Sequence, residues 1–269
     1  MKLLFITIIA SSLFIPACNP FVTNVDTEDR YPTVLEKISE QKQMLLQEAF
    51  EKANPGLCAE INKYGLNGNK ICNDREVARK IITDDDEQRL IAEARKFLTR
   101  NAKFTNVRDS GELVVRKSVG LSGCLACDGS EGDRAVIGWK VSFDNQRLNG
   151  LEIKDSSIDV FMDSENVFQV YGHWYPHVVV PELGRLDAEA VKDTLLGKEL
   201  RYSDWTGEKT HVITEESFGE FEEKAIIPYE TDRGLELRVC LGISVGKIWH
   251  IYVDNTTGEI IRKEQQINF

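Results

Sequence analysis

The sequence predicts an α+β protein: a helical N-terminal region followed by two tandem modules, each a helix packed on an antiparallel sheet. Three observations lead there. Apolar residues recur at helical spacing after Pro32, after Thr83 and after Asp187. Behind each of the last two stretches the period changes to two, the pattern of half-buried strands. Helix followed by meander therefore occurs twice, from about Thr83 and from about Leu186, which suits two separate sheets rather than βαβ units.

Residues 1–17 read as a secretory leader. Lys2 precedes an apolar run from Leu3 to Leu13, interrupted by Thr7, Ser11 and Ser12 and too short to span a bilayer as a permanent helix. Ile15-Pro16-Ala17-Cys18 resembles a bacterial lipobox, which implies acylation of Cys18 and a membrane attachment through that anchor. Pro16 departs from the usual residue of the motif. Ordinary signal cleavage near Ala17 is the alternative. Removing residues 1–17 takes away Lys2 and no acid, so the net charge of −11 becomes −12. That charge repels nucleic acid and excludes it as a partner class.

Residues 18–30 are polar and suit a lipidated tether. Residues 31–82 form the helical N-terminal region, with Val34, Leu35, Ile38, Leu45, Ala49 and Phe50 as its stripe and Asn54-Pro55-Gly56 as its stop. Cys58 and Cys72 flank a loop, and a disulfide closing it would stabilise the fold by about 3 kcal/mol. The first module spans 83–185. Its helix opens at Thr83, read as the N-cap, with Asp84 to Glu87 opposing the positive helix end. Leu90, Ala94, Phe97 and Leu98 form its buried face. Strands follow at Leu113–Val119, Ala135–Phe143, Ile153–Met162 and Val167–His173.

The second module spans 186–269. Its helix starts at Asp187, with Leu186 and Val191 spaced for a hydrophobic staple and Gly197 at the exit. Between Leu200 and Phe221 the pattern is mixed and places no element. Strands are expected at Lys224–Tyr229, Leu235–Ile243, Lys247–Asp254 and Glu259–Glu264. In the last hairpin, Trp249, Ile251 and Val253 point one way and His250, Tyr252 and Asp254 the other. Asp254 accepts turn amides in this reading, and Gly258 supplies a positive φ.

Gly138-Trp139-Lys140-Val141-Ser142-Phe143, then Leu148-Asn149-Gly150-Leu151-Glu152-Ile153, Ile158–Asp163 and Val167–Gly172, resemble the strands of the fungalysin/thermolysin propeptide domain. Leu235–Cys240 and Trp249–Ile261 resemble the middle strand and closing hairpin of a PepSY module. The likeness covers roughly residues 83–269. It implies two cystatin-like modules of a kind that chaperone or inhibit an attached protease, or occur alone in envelope proteins. No catalytic residue carries over.

The motifs of common chemistries are missing from the sequence. His-Glu-x-x-His is absent, as are a phosphate-binding glycine loop and a Gly-x-Ser-x-Gly elbow. His173 and His177 stand four apart, but Pro176 between them opposes a helix, so no metal site is expected. Cys124-Leu125-Ala126-Cys127 lies between strands, where a disulfide pinning the loop outweighs a redox centre at a helix N-terminus. Cys240, in a Leu- and Val-rich strand, reads as free, buried and inert.

The sequence thus describes a non-catalytic lipoprotein of the bacterial envelope, without cofactor, that binds a protein partner. A secreted peptidase is the partner class the resemblance implies. His173, Trp174, Tyr175, His250 and Tyr252 are the candidate binding surface. One alternative is a structural or small-ligand-binding lipoprotein with a pocket lined by Trp139, Trp174 or Trp249. A thiol oxidoreductase using Cys124 and Cys127 is the other.

Overall fold

A computed structural model describes residues 31–67, 80–83, 86–125, 134–181, 184–204, 207–246 and 248–266. Cys18, Cys72 and Cys127 lie outside them, as do Asp84 and Asp85. The fold is α+β, with few helices and mostly antiparallel sheets.

The chain enters as a strand, β1 (Thr33–Leu35), where the sequence predicts helix. Thr-Val-Leu is β-branched in its first two residues and pairs with a strand some two hundred residues away, so long-range pairing overrides the local apolar spacing. The helix α1 (Glu40–Ala53) begins only after Ser39, whose Oγ accepts the Lys42 N–H at 3.3 Å. Phe50 is its buried residue and meets Phe104 edge-to-face at 5.3 Å, while Leu45, assigned to the buried stripe, is 57% exposed.

The second helix, α2 (Glu87–Arg100), buries Leu90, Ile91, Ala94, Phe97 and Leu98. Thr83 does not cap it. Asp86 holds the cap position, and its carboxylate accepts the N–H and hydroxyl of Thr83 instead. After a short α3 (Ala102–Thr105) come β2 (Val115–Cys124), β3 (Arg134–Phe143), β4 (Arg147–Leu148), β5 (Leu151–Ile153), β6 (Ile158–Met162) and β7 (Val167–Gly172). The strand expected over Ile153–Met162 is two strands in two different sheets. Asp155 between them takes φ +60°, a left-handed conformation that ends β5. Ser156 fixes the corner by donating to the Ile153 carbonyl and accepting the Gln146 N–H.

One sheet of four strands runs β2-β3-β6-β7, antiparallel throughout. Phe97 and Leu98 of α2 share a core with Trp139, Val141 and Phe143 of β3 and Ile158, Val160 and Met162 of β6.

The second helix-on-sheet unit begins with α4 (Ala188–Leu195), capped by Asp187, whose Oδ1 accepts the Ala190 N–H at 2.9 Å. Gly197, at φ +75°, lets the chain leave. Where no element was placed, the structure has a hairpin, β8 (Glu199–Asp204) and β9 (Gly207–Val212), and a 3-10 turn at Glu215–Ser217. Then follow β10 (Phe218–Thr231), β11 (Gly234–Val245), β12 (Trp249–Asp254) and β13 (Ile260–Gln265). Val191 and Leu195 of α4 pack on Ile243, Val245, Ile251 and Val253.

This larger sheet runs β13-β12-β11-β10-β5-β4, with β1 also on β11. Every pairing is antiparallel except β10 with β5, where Ile226 faces Ile153. A boundary at 185/186 keeps each helix with its main sheet, yet β1, β4 and β5 reach across it. The seam they build is apolar: Leu148, Ile153 and Tyr175 from one side meet Ile226, Leu237 and Val239 from the other.

Candidate functional site

The longest open edge of the smaller sheet is β2. Among the described residues this ten-residue strand pairs only with β3. Edge strands expose a row of unpaired backbone groups, and proteins usually blunt them with charge. The opposite case is visible at β13, whose Arg262, Lys263 and Glu264 are charged in succession. On β2 the charges stop at Lys117, and Ser118 to Gly123 carry none. Two glycines set the shape there. A Cβ at Gly120 would lie 2.7 Å from Val136 Cγ1, and one at Gly123 would lie 2.6 Å from Ile137 Cδ1. The side chains of β3 therefore lie across the glycines of β2, and the β2–β3 register shifts between Leu121 and Ser122. Trp139 Nε1 donates to Ser118 Oγ at 2.7 Å and fixes the near end of the run.

The residues expected to form a binding surface are mostly interior. Trp174 is 1% exposed, and its Nε1 reaches Glu112 Oε2 at 3.4 Å. Tyr175 is buried at the seam, where its N–H donates to Gln146 Oε1 and its carbonyl accepts from Gln146 Nε2. His173 is half-buried against Tyr175, ring nitrogen to hydroxyl at 3.1 Å, and burial lowers its pKa. His177 is exposed on irregular backbone.

His250 and Tyr252 are buried as well, stacked with centroids 4.6 Å apart. They lie over Gly242, where a Cβ would collide with the imidazole. Tyr252 Oη donates to Glu223 Oε1 at 2.6 Å, and Lys154 sits 3.0 Å from the same carboxylate. Strand alternation correctly separates the two faces of β12, but it does not say what covers each. Here the second face is roofed by long charged side chains. Burial is the main influence on His250 and lowers its pKa against the pull of Glu223.

The same face carries an ionic layer. Glu236 and Asp254 are fully buried, and Arg238 joins them: its Nη2 is 2.6 Å from Glu236 and its Nη1 is 3.1 Å from Asp254. Arg238 also reaches Glu259 at 2.7 Å and lies over the Tyr229 ring. Burial works to raise the Glu236 carboxyl, but hydrogen bonds from Arg238, Thr231 and Arg233 outweigh it and hold the pKa low. Asp254 Oδ1 accepts the N–H groups of Thr256 and Thr257, and Gly258 takes φ +75°. Asp254 is thus the organiser of the closing turn.

Cys58 and Cys124 are disulfide-bonded, and Cys240 is a free buried thiol whose pKa burial raises. The partners expected for the first two, Cys72 and Cys127, fall outside the described residues. Cys124 ends a strand, which is not the helix N-terminus that a low-pKa thiol uses. The three tryptophans are not brought to one pocket. Trp139 and Trp174 belong to the first core, and Trp249 packs at the second, beside the Tyr202 ring. Among the described residues no group of three or more His, Cys, Asp or Glu could hold a metal.

A feature the sequence did not suggest lies at the far end of the larger sheet. A cleft of about 710 Å³ opens between His211, the 3-10 turn and the β11 end, with Phe218 and Gln266 on its walls. Most of its residues come from the stretch 200–221, whose mixed pattern hid them, and Ser244, Gly246 and Gln266 join them from the β11 end and beyond β13. The bare glycines Gly219 and Gly246 were the available signal.

No family model matches the chain, and no curated protein matches it. Among solved structures it is similar to the Bacillus megaterium YpeB C-terminal domain, at 15% identity and a TM-score of 0.31, covering 87% of this chain and 100% of that one. A likeness at that score carries no argument about this chain.

Proposed function

We propose that this chain is a non-catalytic lipoprotein of the bacterial envelope, anchored through Cys18, that binds an extended segment of a protein partner. A secreted peptidase is the partner class. The observation that carries the reading is the edge of β2: an uncharged run from Ser118 to Gly123, paired on one side among the described residues, with one register shift between Leu121 and Ser122. Adding a strand there would satisfy its backbone groups, and alternate side chains would supply specificity. The likeness of residues 83–269 to propeptide modules supports the peptidase assignment.

The test is capture from envelope extract with the full chain as bait, beside a Ser122→Lys variant. Ser122 is exposed, so the added charge blunts the edge without touching the core. The expected result is enrichment of a peptidase by the native chain and about tenfold less by the variant. Capture of no peptidase, with extracellular proteolysis unchanged when the protein is deleted, contradicts the proposal.

A further inference from the structure

The cleft at the end of the larger sheet has a built rim. The His211 ring lies over Gly246, where a Cβ would come within 3.2 Å of Nε2, and Gly246 itself takes φ +61°. His211 Nε2 is 3.0 Å from Ser217 Oγ, which also accepts the Thr214 N–H at 3.0 Å. The Gly246 N–H donates to the Ser217 carbonyl at 2.7 Å and ties the turn to the β11 end. Between Phe218 and Glu222 the β10–β11 register shifts, a bulge of the kind that re-aims side chains beside sites. Phe218 packs partly on the second core, which holds its ring in place.

The chemistry of the walls narrows the ligand. Thr214, Ser217 and Ser244 offer hydroxyls, Gln266 an amide and His211 an imidazole, all able to exchange hydrogen bonds with a ligand. Among the described lining residues there is no Lys or Arg to hold an anion, and the carboxylate of Glu216 is exposed to solvent. Phe218 adds an apolar ring. Ser217 Oγ is engaged by both the Thr214 amide and the His211 ring, so the pair braces the rim.

We infer that this cleft is a binding site for a neutral saccharide, with Phe218 under the apolar face of a sugar ring and the hydroxyl, amide and imidazole groups reading its hydroxyls. Its volume lies inside the range of small-ligand sites, about 300–1,000 Å³. The pre-set rim reduces the ordering cost of binding. This site is separate from the β2 edge and stands or falls independently of it.

The experiment is a titration of the full chain with cellobiose, maltose and N,N′-diacetylchitobiose, followed by histidine ring NMR, with inorganic phosphate as the charged control. The resonance of His211 is assigned with His211→Gln. At least one disaccharide should shift His211 saturably, with a dissociation constant near about 1 mM, while the buried His250 stays put. Phe218→Leu and Gln266→Ala should each weaken binding about tenfold. An unchanged His250 signal reports that each variant is folded. The inference is overturned if none of the disaccharides shifts His211 saturably, if both variants bind as the native chain does, or if phosphate produces the same shift.

Discussion

The two helix-on-sheet regions solve the same packing problem with different means. In the first, the fourteen-residue α2 buries a broad stripe against a sheet of four strands, all contributed by residues 115–172. In the second, the eight-residue α4 buries only Val191 and Leu195. The larger sheet compensates by recruiting β1, β4 and β5 from elsewhere and by covering its other face with Glu236, Arg238 and Asp254. The first region therefore rests on an apolar core, to which Phe50, Leu57 and Ile61 of the N-terminal region also contribute, and leaves a bare edge among the described residues. The second is held by long-range pairing and buried charge, and its outermost strand is charged.

The largest effect that sharpens this contrast is expected at Arg238. Arg238→Ala leaves Asp254 buried without its ion pair and Glu236 with only Arg233 and Thr231, which should cost about 3–5 kcal/mol by chemical denaturation. A loss under about 1 kcal/mol would show that the ionic layer is not what holds the second sheet. Next comes Leu98→Ala in α2, fully buried, with an expected loss of about 3 kcal/mol. If its cost instead matched that of an exposed helix position, the first region would not rest on its apolar core.

Acid should loosen the second region in two steps. The depressed imidazole of His250 means that the unfolded chain binds its proton more readily, so stability falls as pH drops below about 6.5. The depressed carboxyl of Glu236 adds stability above the ordinary carboxylate range, about 4.3, and loses it as pH falls through its lowered pKa. Denaturation curves at a series of pH values check this. His250→Gln should remove the upper step and Glu236→Gln the lower. His173 contributes with the same sign in the first region, so a shared upper step that survives His250→Gln would assign it there. The smallest effect is at the α4 cap, where Asp187→Ala should cost about 1 kcal/mol. A thermal shift indistinguishable from zero would mean the short helix depends on its core contacts alone.

What could be read from the sequence was local. The face of α2 follows from the spacing of Leu90, Ala94, Phe97 and Leu98, and the start of α4 from Asp187. Asp254 and Gly258 announce the closing turn. What could not be read was set by distant partners. Thr33–Leu35 became a strand because β11 offered an edge, and Ile153 left the strand it was assigned to because β10 took it in parallel. His250 and Tyr252 illustrate the same limit: alternation gives their direction, but their burial is decided by Glu223 on β10 and Lys154 next to β5. The β8–β9 hairpin and most of the cleft beside it belong to a stretch with no clean period.

The most direct test of the central claim is amide hydrogen exchange of the full chain alone and with the peptidase it captures. Binding along the edge predicts slowed exchange concentrated between Ser118 and Gly123, with the amides of β13 unchanged. Protection that appears elsewhere while Ser118–Gly123 exchange as in the free protein would contradict it.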